Sequence, residues 1–452
     1  MKRYEEYKPM KYEWLPEIPA HWETRTMRSF TTVSSERRGD REATLLSVYR
    51  EYGVVIKASR DDNRNVESED LSNYKWVRPG DLVMNKMKMW QGSLGVSEHE
   101  GIVSPAYIVC RINDATLNRR YLHTLLRSTG FKTYYNQYSY GVRVGQWDMH
   151  YEDFKGLEIA LPPRAEQDQI VRYLDWQVSK INRLIAAKKQ EIALFEESKI
   201  NHITNAVLHG VRHHEHCIET TEFGSIPAHW QVIQNKRLFC ERVEHTETGA
   251  ETLLSVSKHY GVKPSAALTE DEQFATIKPA LSLVGYKVVR KNDLVMNIMR
   301  ARNGSYGISD YDGIVSPAYC IYYTTKECNV KYLHYFLRTP HVKSLFEAYS
   351  SGIAEHRRRL YPEDFLRLKS VLPPIEEQDE IVEHIEQAIV KYDAGIANLR
   401  QQIACLQDMK TRLISDVVTG QVDVRGIEVP EYVFVEDSAD EENDDLDEME
   451  EE

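Results

Sequence analysis

Cysteine is scarce and scattered in this sequence: six residues, at positions 110, 217, 240, 320, 328 and 405, none in Cys-x-x-Cys spacing. That excludes a disulfide framework and fits small core residues in a reducing compartment. Long apolar runs are missing as well. No stretch approaches the ~20 residues needed to span a bilayer, and the opening MKRYEEYKPMKYEWLPEIPAHW lacks the apolar centre of a secretory signal. A cytoplasmic protein is expected. Basic excess is also lacking: Asp and Glu number 70 against 57 Lys and Arg, a net charge of −13, which weighs against phosphate binding. The imbalance is local, however, because Glu436 to Glu452 carries 12 acidic residues and no basic one. The body is nearly neutral, and so acidic a block is expected to form a disordered tail.

Catalytic signatures are the next absence. The sequence holds no Walker-type phosphate loop, no G-x-S-x-G elbow, no dinucleotide GxGxxG on a strand-helix turn, and no Asp/Asn-Pro-Pro-Tyr tetrapeptide of the adenine methyltransferase kind. Carboxylates near a lysine, such as Glu363 and Asp364 with Lys369, read as ordinary surface charge. No catalytic residue is assigned. His209, His213, His214, His216 and Cys217 form the one metal-like run, but its spacing matches no common finger and the second copy described next has GQVDVRG there. It reads as a polar linker, and no metal or cofactor is expected in the chain.

What the sequence does contain is itself, twice. GIVSPAY occurs at Gly101 to Tyr107 and at Gly313 to Tyr319, IPAHW at Ile18 and at Ile226, TLLSV with a following Tyr-Gly at Thr44 and at Thr252, and DLVMN at Asp81 and at Asp293. The offset runs from 208 to 212, then settles at 211 for LPPRAEQDQIV at Leu161 and LPPIEEQDEIV at Leu372. A unit this long is a domain, not a solenoid repeat. Within each copy, short apolar runs alternate with Gly, Pro, Asn and Asp, and helical stretches intervene, giving an α+β fold.

After each Pro-Pro pair the pattern becomes helical, since proline suits a helix start but not its interior. Val171, Leu174, Val178, Ile181, Ile185, Ile192 and Phe195 fall on alternating steps of three and four. Val382, Ile385, Ile389, Tyr392, Ile396, Leu399, Ile403 and Leu406 repeat the frame. Each run implies a helix of roughly 65 Å at about 1.5 Å per residue, and two matching seams bury each other most simply as an antiparallel pair. The expected architecture is α+β: two tandemly duplicated domains, at 1–163 and 210–374, separated by two long antiparallel coiled-coil helices, at 164–209 and 375–420, with a pseudo-twofold axis and an acidic disordered tail at 421–452.

The two copies share a frame and differ in their polar insets. Lys86, Lys88, Trp90 and Gln91 follow the first DLVMN, and Arg300, Arg302 and Asn303 follow the second. Before the EDF strand lie Arg143 and Gln146 in one copy and Arg357, Arg358 and Arg359 in the other. Arg, Lys, Asn and Gln can pair with base edges, and Arg and Lys also neutralise phosphates. These residues are the candidate contacts with double-stranded DNA.

With its proline-led helix entrances LPPRAEQDQI and LPPIEEQDEI and its second helix ending in LISDVVTGQVDV, the chain resembles the DNA specificity subunits of type I restriction-modification systems. The first helix ends instead in HITNAVLHG. The resemblance implies a non-catalytic adaptor whose target-recognition domains each read half of a bipartite, asymmetric DNA site, with the helices setting the unread spacer. It further implies two methyltransferase subunits for adenine N6 methylation and added restriction subunits for ATP-dependent cleavage, with S-adenosylmethionine, ATP and Mg2+ on those partners. The alternatives are a coiled-coil protein-interaction scaffold and a self-contained DNA-modifying enzyme.

Overall fold

The computed structural model describes residues 2–50, 52–59, 70–143, 146–258, 260–268, 282–352 and 358–435. The chain divides into two compact units. One combines Met1–Lys188 with Gln401–Ser438, and the other is built on Lys189–Arg400. Each therefore holds one α+β domain and a stretch of both long helices, Arg164–His209 and Ile375–Val418.

In the first unit an antiparallel sheet runs in the spatial order Thr31–Val33, Tyr107–Ile112, Leu82–Asn85, Leu94–Val96. Side chains alternate across a strand, so DLVMN sends Leu82 and Met84 into the main core and Val83 into a smaller one with Leu46, Val48, Val54, Val103 and Val109. Burial on both faces explains why this strand is apolar throughout. The second unit repeats the order with Phe239–Glu241, Tyr319–Thr324, Leu294–Asn297 and Tyr306–Ile308. Leu294 and Met296 face one core there, and Val295 faces the other.

GIVSPAY supplies a tight crossing beside this sheet. Ile102 N–H donates to Thr44 O at 2.9 Å, and Ile314 N–H donates to Thr252 O at 2.9 Å. A Cβ on Gly101 or Gly313 would strike that carbonyl and the neighbouring Leu46 or Leu254. Glycine is required by close approach of backbone. The serine then turns the chain: Ser104 O and Ser316 O each accept from the tyrosine N–H three residues on, at 3.0 Å.

The helix entrances are junctions, and every residue of Glu-Gln-Asp has a partner. Glu166 accepts from Trp22 Nε1 at 3.0 Å and Tyr4 OH at 2.6 Å. Gln167 donates to Pro162 O at 2.9 Å and accepts from Asn118 N–H at 2.8 Å, while Asp168 accepts from Asn118 Nδ2 at 2.7 Å. In the second unit Trp230 donates to Glu377 at 2.9 Å, Gln378 bridges Pro373 O and Asn329 N–H, and Asp379 accepts from Asn329 Nδ2. Both asparagines also cap a short helix, Arg119–Leu126 and Val330–Leu337, accepting two backbone N–H groups each.

Within each unit the helices run antiparallel. In the first, Ile181 and Ile185 share a core with Leu413 and Val417, and Lys410 Nζ donates to Asn182 at 3.3 Å. In the second, Val207 and Leu208 share a core with Ile381, Val382 and Ile385, and Lys199 pairs with Asp393 at 2.6 Å. Among the seam positions, Leu174, Ile181, Ile185, Val382, Ile385, Ile396 and Leu399 are buried. Val171, Val178, Ile192, Phe195, Ile389, Tyr392, Ile403 and Leu406 are half-buried.

One boundary needs correction. Disorder was expected from residue 421, but the chain stays packed on its own unit as far as Val435. Val422 and Val424 enter the core, Gln169 donates to Val424 O and Ile427 O, and Asn182 donates to Val435 O at 2.9 Å. The reason is compositional: Val422, Val424, Ile427 and Val429 give this stretch an apolar side to bury. The acidic block from 436 lies outside the described residues.

Candidate nucleic-acid interface

In the first unit, DLVMN runs into a 3-10 turn, Lys86–Gln91. Asn85 starts it by accepting from Met87 N–H, and Gly92 ends it at φ 92, a left-handed conformation that favours glycine. Met89 is the buried anchor of this turn. Lys88 is left exposed, and Lys86, Trp90 and Gln91 are half-buried. Lys86 pairs with Asp148 at 2.9 Å, and its carbonyl accepts from Met149 N–H. The turn is thereby tied to the hairpin of Tyr140–Arg143 and Gln146–Asp148. Trp90 meets Trp147 edge to face at 5.3 Å, with its Nε1 buried and unpartnered. Arg143 and Gln146 face each other in the register, and their side chains lie outside the described residues.

The second unit builds the same turn from Ala301–Asn303, with Asn297 accepting from Met299 N–H and Gly304 at φ 90. Ala301 is buried where Met89 was, Arg300 and Arg302 are half-buried, and Asn303 is exposed. Burial raises the Tyr319 phenol above its usual range, against the opposing charge of Arg300 and a hydrogen bond with Asn297. Of the arginine run, Arg357 lies outside the described residues. Arg358 donates to Ser350 O and Glu347 O, both at 3.1 Å, and so caps the helix Pro340–Tyr349. Arg359 bonds Ser351 through its backbone, at 2.9 Å in both directions, and leaves its side chain exposed.

At the start of the strand that leads into each turn lies a charge network centred on the Asp of DLVMN. Asp81 accepts from Arg78 N–H and pairs with Arg111, which also reaches Glu36 at 2.6 Å. Burial alone would raise the Glu36 carboxyl, but Arg41, Arg78 and Arg111 outweigh it and hold the pKa low. In the second unit Asp293 takes Arg242 through two bonds, at 2.7 and 2.9 Å. The arginine comes from Tyr107–Ile112 in one unit and follows Phe239–Glu241 in the other, so the charge pair survives although its source strand changes.

Comparison with known proteins follows the same outline. No family model matches the chain. The putative type I restriction enzyme MjaX specificity subunit of Methanocaldococcus jannaschii is 22% identical over 435 residues, 90% of this chain and 95% of that protein. The type I restriction enzyme EcoBI specificity subunit of Escherichia coli is 22% identical over 419 residues, 86% of this chain and 85% of that protein. Both relatives are named as type I restriction enzyme specificity subunits, and the similarity runs along most of this chain and most of each of theirs. The fold of this chain matches that of a chain from a structural study of complex assembly and conformational transition in the type I R-M system, with a TM-score of 0.56 at 14% identity, over 90% of this chain and 99% of the other.

Within this chain, the polar turns carry the differences between the two copies and the junctions carry the likeness. Sequence reasoning passed over the exposed aromatics beside those turns. Tyr138 and Tyr140 in the first unit, and Tyr349 and Tyr361 in the second, are all more than two-fifths exposed. Tyr138 and Tyr349 are equivalent through the YSYG and YSSG segments, which was the available signal. Among the described residues no helix is long and apolar enough to cross a membrane.

Proposed function

We propose that this chain is the DNA-reading adaptor of a type I restriction-modification complex, with recognition domains at 1–163 and 210–374, each reading one half of a bipartite, asymmetric duplex target. The observation that carries this reading is the contrast between junctions whose asparagine bonds recur and turns that differ. The bonds from Gln-Asp to the asparagine recur one for one, and the glutamate keeps its tryptophan and histidine, whereas KMKMWQ stands where the second copy has IMRARN. A constant mount with exchangeable contact residues is what two half-sites require.

The long helices, 46 and 44 residues, act in this account as the spacer between half-sites, related by a pseudo-twofold axis. They also dock two methyltransferase subunits, which bring S-adenosylmethionine to an adenine flipped from the duplex. Restriction subunits bring ATP and Mg2+ for cleavage, and the chain itself is non-catalytic. The names of its relatives support the type I assignment. Exchanging residues 30–160 for another recognition domain tests the division of labour: one half of the methylated target changes, and a change in both halves refutes independent reading. Binding to a target duplex also falls steeply with ionic strength, as phosphate contacts demand; an apolar scaffold interface lacks that slope.

A further inference from the structure

The histidine-rich run after the first long helix looked like a polar linker because its own spacing fits no metal site. The fold gives one of its members different company. His214, His229 of the second IPAHW and Glu377 of the second helix entrance each bring a donor atom within 4.8 Å of the other two. They come from three segments of one compact unit. Among the described residues no other cluster of this kind occurs.

The first unit shows what this place looks like when it is closed. There Tyr4 OH donates to Glu166 at 2.6 Å, His21 lies 2.8 Å from the other carboxylate oxygen, and Trp22 donates at 3.0 Å. In the second unit the histidine and tryptophan bonds persist, at 2.7 and 2.9 Å on Glu377. His214 takes the place of the tyrosine, its ring 6.0 Å from Trp230 and 5.2 Å from His229. Unlike the phenol it replaces, it makes no bond to the carboxylate, and its Nε2 is buried without a hydrogen-bond partner. A donor-saturated carboxylate has become two imidazoles and a carboxylate with bonding capacity to spare.

We propose that His214, His229 and Glu377 bind one divalent transition-metal ion of the zinc class, with a water completing the site. Two neutral imidazoles and one carboxylate are a common three-ligand set for zinc, and imidazole selects such ions over calcium or magnesium. Metal–ligand distances of about 2.1 Å place tetrahedral donors roughly 3.4 Å apart, so the apo cluster needs only side-chain rotation to close. Trp230 Nε1 holds the second oxygen of Glu377 and serves as its outer support. The bound ion staples the linker after the first long helix to the head of the second.

The full chain, stripped with a chelator, is titrated with Zn2+ by calorimetry and melted with and without the metal. One tight equivalent per chain and a melting temperature raised by several degrees are expected. His214→Tyr, which installs the residue type of the first unit, loses both effects while its metal-free melt stays near that of the parent. Glu377→Gln loses the binding as well. A triple change of the exposed His213, His216 and Cys217 to Ala leaves tight binding intact. The proposal falls if the parent takes up no zinc at equimolar concentration, if His214→Tyr binds as tightly as the parent, or if the triple variant abolishes binding.

Discussion

Two residue types in the repeated motifs answer to contacts that substitution can probe. Replacing Gly101 or Gly313 by Ala drives a Cβ into a backbone carbonyl that cannot yield, and costs about 2–3 kcal/mol in denaturant unfolding. Gly426→Ala, with open space around it, stays within about 0.5 kcal/mol. The histidines of the repeated Tyr-Leu-His behave differently. His123 Nδ1 lies 3.2 Å from Val96 N and 3.3 Å from Val96 O, and His334 Nδ1 accepts from Ile308 N–H at 3.4 Å. Burial first, then Arg127 and Arg338 respectively, lowers their pKa values to about 3 and about 4. An unfolded histidine takes its proton near pH 6.5, before the folded one does. Stability is therefore complete above about pH 6.5 and declines toward pH 4, by about 2 kcal/mol per histidine at pH 5. Urea titrations at pH 7 and pH 5 measure this loss, and a profile flat across that interval contradicts the buried, neutral assignment.

Elements hold together here through junctions more than through their own propensity. Gln378 bridges Pro373 O and Asn329 N–H from a buried position, so Gln378→Ala strands two backbone groups and costs about 1–3 kcal/mol. Along the second long helix, Ile385→Ala in the buried seam costs about 2–5 kcal/mol, whereas Val390→Ala, at an exposed position, is near neutral. Thermal melts of these three variants rank them directly. The duplication, the proline-led entrances and the period of the seams were legible in the sequence because each is a local pattern repeated at fixed spacing. Other features arise from residues far apart in the chain. Arg358 reads as a base contact until the helix end it caps is in place. Glu377 is 148 residues from His229, so no motif announces their bond. The packing of residues 421–435 was hidden by the acidic block that follows, although its valines and isoleucine carried the signal.

At the scale of the whole molecule, each compact unit closes by bringing distant chain together. Tyr121 donates to Val418 O, 297 residues away, and Tyr332 donates to Val207 O, 125 residues away. Recognition in this account is divided between the two units, so point changes act on one half-site. Ala at Lys88 in the first unit, or at Arg302 in the second, weakens binding by about 1–3 kcal/mol where the side chain meets a base, with relaxed preference at that position only. Lengthening each long helix by four residues widens the spacer by about 6 Å, one or two base pairs, with both half-sites unchanged. Half-sites that change with helix length contradict the ruler. The most direct measurement is a map of N6-methyladenine across the source genome by single-molecule sequencing, with this gene intact and deleted. A split motif of two unlike half-sites around a fixed spacer, methylated only when the gene is intact, is the predicted result; a split motif that stays methylated after deletion would contradict the account.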